Sequence, residues 1–573
     1  MTMRIFLFSI FVSILSTYSL SVFADDSDYW YMDDTPTVKP KKSKSVSEFD
    51  NLDDLPSFEK RKRDDYALTS PEREILKLPP SYSRPYKKVN ARRAGPSVES
   101  ITASYQKLDI ESIWVEATGG LNDKGKSLLK YIQTVGKHGL KPAEYYLSKI
   151  NQALTSGEEI DKLMSRVFIK LVNHATLGRL IPKKADTDWY IVQSGIDQDA
   201  ALKRVLDTYD VVSYIESLFP QTRQYKSQLR AYEKIDTQVQ RGGWTEFPVA
   251  GPRLQQGSRH AHVSLLRQRL RDSGYGGGFE GNVFGALLKA ALIRFQGDHG
   301  LNADGVLGRL TRLTLAKSAE QRKKQIETTL ERLRWLPKHM GNRYIVVNTA
   351  GYELNVIEND RSTLQMRIVV GKKRRSNSNH ETPSFSRQMR YVVLNPKWYV
   401  PASIASKELL VLAQKDPNYF KRNGYRVYDS KGMVNSSLVN WNNYVRGEKL
   451  PLQIVQNSGR DNALGKMKFM LPNKYNIYLH DTPQKWLFSR DRRTFSHGCV
   501  RLSDPMSLAT KVLGKTKNEI SKMISSGRNR KVNLEQNIPV YVVYLTTWVR
   551  DDGTVIFFDD YYDRDSRMQH NFS

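Results

Sequence analysis

Past residue 96 the chain first repeats its apolar residues every three or four positions. Leu128, Leu129, Ile132 and Val135 make one such stripe and Val167, Leu171 and Ala175 another, with Gly139 and Pro142 as punctuation. That spacing lines one helical face and predicts an all-helical domain over 97–245. A smaller helical domain follows at 258–316. Val263, Leu266 and Leu270 stripe its first helix, Phe284, Leu288, Ala291 and Phe295 its second, and Gly300 to Gly308 turns into a third. Over 317–340, Ile326, Leu330 and Leu333 share the face of a linking helix. The pattern then changes to runs rich in Val, Ile, Tyr and Leu: Tyr344 to Asn348, Tyr352 to Ile357, Leu364 to Val370, Tyr391 to Asn395 and Tyr475 to His480. These predict a mainly-β domain over 341–573. Between its strands, about 401–456 reads as helix and loop and is expected to be an inserted helical lid. The fold class is therefore multidomain α+β.

The residues ahead of these domains behave differently. A basic start at Arg4, an apolar run from Ile5 to Phe23 and the small residue Ala24 before Asp25 and Asp26 read as a signal peptide over 1–24. An uncleaved membrane anchor is the alternative. Residues 25–96 are dense in Asp, Lys, Ser and Pro and bury too little apolar surface to offset their ordering entropy, so a disordered charged tether is expected. Either reading delivers the folded part outside the cytoplasm. The net charge of +29 favours anionic partners. Export, and Lys and Arg spread along the chain, argue against nucleic acid and for peripheral attraction to an anionic envelope.

The chain has one cysteine, Cys499, so no internal disulfide can form. A free thiol in an oxidising compartment suggests chemistry. Its surroundings read Tyr478-Leu-His480-Asp481-Thr-Pro483, then Ser496-His497-Gly498-Cys499-Val-Arg501. A thiol is mostly protonated at neutral pH, and a nearby imidazole can take its proton, so Cys499 and His480 form a candidate pair for covalent acyl transfer. Asp481 is placed to orient the imidazole through its carbonyl or its carboxylate. Gly498 permits close backbone approach, and its N–H and that of Cys499 are candidate oxyanion donors. Asp504 or Ser503 caps a helix with Pro505 at its first position.

Fifteen residues separate His480 from Ser496, and this segment resembles the L,D-transpeptidase catalytic domain, whose signature is a histidine followed by Ser/Thr-His-Gly-Cys. Ile293 to Thr311, with Phe295, Gln296, Asp304 and Gly305, resembles a peptidoglycan-binding domain, although the same residues also suit the core and turns of a helical spacer. The phrases Leu333 to Pro337, Leu394 to Trp398 and Pro401 to Ala405 resemble the large periplasmic members of the transpeptidase family. The resemblance implies a Cys499 thioester formed from a tetrapeptide stem with release of D-Ala, then a 3→3 cross-link to a second stem peptide. It implies that His497, Gly498, Asp481 and Ser496 form or orient the anion site. Tyr478 and Trp398 are implied as substrate contacts, and Arg501 as a brace for the loop ahead of a contact to a substrate carboxylate. No cofactor is implied; the expected partners are stem peptides and other cell-wall enzymes. Slow acylation by carbapenems is also implied. Arg374 and Arg375 lead into a polar insert, Ser376 to Asn379, that departs from the pattern.

Rival readings remain. His480, His497 and Cys499 are all zinc ligands by type, but a metal would quench the thiolate and no HExxH accompanies them, so no metal is expected. Papain-like peptidases place cysteine before histidine, the reverse of the order here. L,D-carboxypeptidase or D-amino-acid exchange activity on the same donor, or a non-catalytic wall-binding scaffold, are the functional alternatives.

Overall fold

A computed structural model describes residues 93–156, 159–277, 281–373 and 380–572. The expected leader over 1–24, the expected tether up to residue 92 and the insert over 374–379 lie outside the described residues. Among the described residues no helix is long and apolar enough to cross a membrane.

The first region is helical from Val98–Leu108 through Arg223–Gln240. Five of its helices start where a side chain can accept a first-turn amide that has no intrahelical partner: Ser97, Asn122, Asp197, Asp210 and Thr222 each do so. The stripe residues Leu128, Ile132, Val135, Val167, Leu171 and Ala175 are all buried in one core. His138 stacks on Phe219 at 3.8 Å and His174 bonds the Tyr145 hydroxyl at 2.7 Å, so both pack inside rather than serve as ligands.

The helix Ala319–Arg334 does more than link. Ile326, Leu330 and Leu333 join the core of the first region. Arg334, also buried, pairs with Glu331 at 2.7 Å and donates to the His138 carbonyl at 2.9 Å, while Gln325 donates to the Thr546 and Phe558 carbonyls at 2.9 and 2.8 Å. The helix thus ties the helical region to the β domain.

The small domain has helices at Ala261–Asp272, Ala286–Asp298 and Arg309–Leu315 around a separate core. Buried Gln296 donates to Asp304 and to the Val306 carbonyl at 3.0 Å each, and accepts from the Gly305 amide at 2.8 Å. The motif residues therefore build the turn themselves.

Among the described residues nine strands make the main sheet: β1 Arg343–Asn348, β2 Glu353–Glu358, β3 Arg361–Gly371, β4 Phe385–Leu394, β5 Met467–Met470, β6 Leu479–His480, β7 Thr494–Ser496, β8 Val500–Leu502 and β9 Arg530–Val543. Their order is β7-β3-β8-β6-β5-β4-β9-β1-β2, and β2 also pairs with β3, so all but β7 form a closed ring. Tyr475 to His480 was expected as one strand, but only its last two residues enter the ladder. Asn473 accepts the Tyr475 and Ile477 amides at 3.0 and 3.3 Å, and Asn476 is left-handed at φ 54, so the chain turns there instead of extending.

Residues Tyr399–Val455 form a compact unit with a core of Leu410, Phe420, Val427, Trp441 and Ile454. This unit is not helix and loop alone: Tyr425–Asp429 and Gly432–Val434 pair as a hairpin. Asp429 accepts the Lys431 and Gly432 amides, the turn chemistry that closes it.

Candidate active site

Parallel strands β6 and β8 set the site. Leu479 pairs with Val500 and His480 with Arg501, and antiparallel β5 puts Lys468 opposite His480. Side chains alternate across a sheet. Leu479 and Val500 point into the core, both fully buried, so Tyr478, His480, Arg501 and Lys468 take the other face, and Cys499, one residue before Val500, takes it with them. Two features anchor the nucleophile segment. Behind β8, Asp504 caps the helix Pro505–Leu513 by accepting the Ser507 amide, and the helix ends at left-handed Gly514. Within Ser496-His-Gly-Cys499, the Ser496 hydroxyl accepts the Gly498 amide at 3.1 Å and donates to the Cys499 carbonyl at 2.6 Å.

His480 is buried, and its Nδ1 lies 2.5 Å from the Asp481 carbonyl. A carbonyl only accepts, so Nδ1 carries the proton and Nε2 holds the free lone pair. Of the two orienting modes expected for Asp481, the carbonyl is the one that meets the imidazole. The Asp481 carboxylate bonds the Lys466 amide at 2.9 Å and the Thr482 amide and Lys485 at 2.7 Å each. Burial, then the Arg501 guanidinium, push the His480 pKa down to about 3, opposed by the Asp481 carbonyl.

Cys499 is half-buried and its thiol donates to the Asn476 carbonyl at 3.6 Å. Burial and the neighbouring Cys499 thiol push the Tyr478 pKa up. The Lys468 ammonium lies 3.9 Å over the Tyr478 ring. Burial pushes the thiol pKa above its ordinary value, against hydrogen bonds from Tyr478 and the positive charges of Lys468 and Arg501. With the imidazole neutral and the thiol protonated, no thiolate–imidazolium pair stands ready at neutral pH. Alkylation of Cys499 by iodoacetamide should therefore rise about tenfold per pH unit through pH 9. A plateau near pH 6 would contradict that sign.

Arg501 donates to Gln484 Oε1 at 2.6 Å, a bracing contact. The His497 ring meets His380 edge-on at 4.7 Å. Sequence reasoning missed Lys468, Gln484, Asn476 and Thr382. Alternation in Lys466-Met-Lys468-Phe-Met470 was the available signal for Lys468, since it puts a lysine on the face opposite two core residues. Among the described residues no group of three or more His, Cys, Asp or Glu side chains could hold a metal ion.

Comparison with known proteins adds to this geometry. Residues 342–532 match the family model of the L,D-transpeptidase catalytic domain, 99–231 that of the Scaffold domain, and 259–315 that of the "Putative peptidoglycan binding domain". The β domain of this chain is thus similar to the L,D-transpeptidase catalytic domain. A Haemophilus influenzae protein named "Putative L,D-transpeptidase" is 31% identical over 243 residues, covering 42% of this chain and 47% of that protein. The chain spans about half the length of that curated relative. Among solved structures, an L,D-transpeptidase from Xylanimonas cellulosilytica aligns at 15% identity and a TM-score of 0.17, covering 52% of this chain and 100% of that one. One from Stackebrandtia nassauensis aligns at 13% and 0.21, covering 52% and 96%. Superpositions as loose as these say nothing about chemistry.

Proposed function

We propose that the protein is a peptidoglycan L,D-transpeptidase that forms 3→3 cross-links through an acyl-enzyme on Cys499. The observation that carries this is the family match over 342–532 together with Cys499 and His480 on one face of a parallel strand pair. In this reading Cys499 Sγ attacks the carbonyl of the diaminopimelyl residue that precedes the terminal D-Ala. With the imidazole pKa near 3 and the thiol pushed up, the proton moves to His480 Nε2 as the C–S bond forms rather than before it. The oxyanion that develops is met by the Cys499 N–H, since the Gly498 N–H is engaged with Ser496. Collapse breaks the C–N bond, and His480 returns its proton to the leaving D-Ala amine. The thioester then yields to the side-chain amine of a second stem peptide, and the thiol is restored without ATP.

Arg501 braces the loop through Gln484, while Tyr478, beside the thiol, and Trp398 are the residues a stem peptide would meet. The insertion about 401–456 is the lid of this reading, suggested by its place in the sequence between β4 and β5. Export by the leader would put the enzyme in the periplasm, where its charge and its 258–316 domain favour the wall. Purified protein given a disaccharide tetrapeptide should release D-Ala and yield a cross-linked dimer by mass spectrometry. Tripeptide alone would make it an L,D-carboxypeptidase, and neither product would overturn the reading.

A further inference from the structure

The carbonyl of Gly498, one bond from the nucleophile, is gripped by a residue far away in the chain. Thr382, fully buried, donates its hydroxyl to that carbonyl at 2.8 Å and accepts the Gly371 amide at 3.0 Å. A threonine hydroxyl has one proton. Gly371 supplies its own, so the Thr382 proton is committed to Gly498. In a planar trans peptide the C=O of one residue and the N–H of the next point in opposite directions. Fixing the Gly498 carbonyl inward therefore fixes the Cys499 N–H outward. The left-handed φ of 115 at Gly498 is what lets the chain make this reversal next to the nucleophile.

Thr382 is itself held in place. Its carbonyl accepts from Arg564 Nη2 at 3.1 Å, and Arg564 Nη1 donates to Ser384 at 3.2 Å. Arg564 is fully buried, with the carboxylates of Asp186 and Asp188 each at 3.9 Å and that of Glu381 at 3.7 Å. Asp186 and Asp188 belong to the scaffold region. Its backbone also docks directly, since the Asp188 carbonyl accepts the Ser384 amide at 2.8 Å and the Ser384 carbonyl accepts the Tyr190 amide at 2.7 Å. A buried guanidinium keeps its place only with its counter-charges.

We infer that Thr382 is a positioning residue that aims the Cys499 amide at the reacting carbonyl oxygen, and that Arg564 and the scaffold acids hold Thr382 for this task. The scaffold domain is then part of the active site's support rather than a spacer. The inference rests on the proposed acyl-transfer reading, and one comparison separates the two. Acylation develops an oxyanion and needs the aimed N–H; alkylation by iodoacetamide displaces iodide at carbon and needs only the thiol.

In the full-length protein, Thr382→Val should slow acylation of Cys499 by the tetrapeptide or a carbapenem by roughly 10- to 100-fold, less than deleting an oxyanion donor outright. Alkylation should stay within about twofold of the parent, and Thr382→Ser, which keeps the hydroxyl, should acylate within about threefold. Should the valine variant fail to fold, Thr382→Ala makes the same comparison. The inference is overturned if the variants lacking the hydroxyl acylate at the parental rate, if acylation and alkylation fall together, or if the serine variant loses as much as the valine one. If the parent protein takes no acyl group on Cys499, the proposed function fails, and this inference with it.

Discussion

Replacing His480 with glutamine should lower the rate of Cys499 acylation by roughly 10²- to 10⁴-fold, the range for loss of a positioned general base. The expectation follows from the tautomer. With Nδ1–H held by the Asp481 carbonyl, Nε2 is the one imidazole atom able to accept a proton. Because burial and Arg501 keep the ring neutral far below pH 7, it is present as a base at neutral pH. Glutamine can fill much of the space without taking the proton. The thiol should keep its alkylation rate within a few-fold, since its ionisation is governed by burial, Tyr478, Lys468 and Arg501. Stopped-time mass spectrometry of acylation and alkylation reads both quantities. Equal acylation by parent and variant would remove His480 from the mechanism.

Gly371→Ala should be the most damaging single methyl that can be added near the site. A Cβ on Gly371 would stand 1.7 Å from the His380 carbonyl oxygen and 2.8 Å from its carbon. Both are backbone atoms, so no rotamer change relieves the overlap. The residue is also fixed on both sides, with its amide donating to Thr382 at 3.0 Å and its carbonyl accepting from Tyr562 at 2.5 Å. The end of β3 must separate from residues 380–382, at a cost of about 3 kcal/mol or more. A lower melting temperature and loss of acylation should appear together. A variant that melts and acylates like the parent would mean that these two segments are not packed as described.

What the sequence made legible was local. Helical stripes such as Leu128, Ile132 and Val135 are buried as their spacing predicts, because a helix face is set by neighbours three and four residues away. The first three strands were readable for the same reason. The long strand β9 was not, since the first half of Arg530–Val543 is mostly exposed and has only Val532 and Leu534 as apolar positions. Tyr475 to His480 misled through its apolar residues, whereas the turn was carried by the side chain of Asn473. At the site, Cys499 and His480 stand out because one cysteine and a spaced histidine are chemically conspicuous. Thr382 and Arg564 are not: their contacts reach across 116 residues to Gly498 and 182 residues between themselves. No local pattern records such a pairing, and only the folded chain links a scaffold aspartate, through Arg564 and Thr382, to the nucleophile's loop.

In the proposed reaction the sulfur at position 499 carries the donor peptide between two half-reactions. Rapid acid quenching of the protein with a disaccharide tetrapeptide, followed by intact-mass measurement and peptide mapping, tests this most directly. The expected result is a mass increase equal to the donor minus D-Ala, located on Cys499, sensitive to hydroxylamine and absent from Cys499→Ala. Product formed by the Cys499→Ala protein, or an adduct mapped to any other residue, would contradict it.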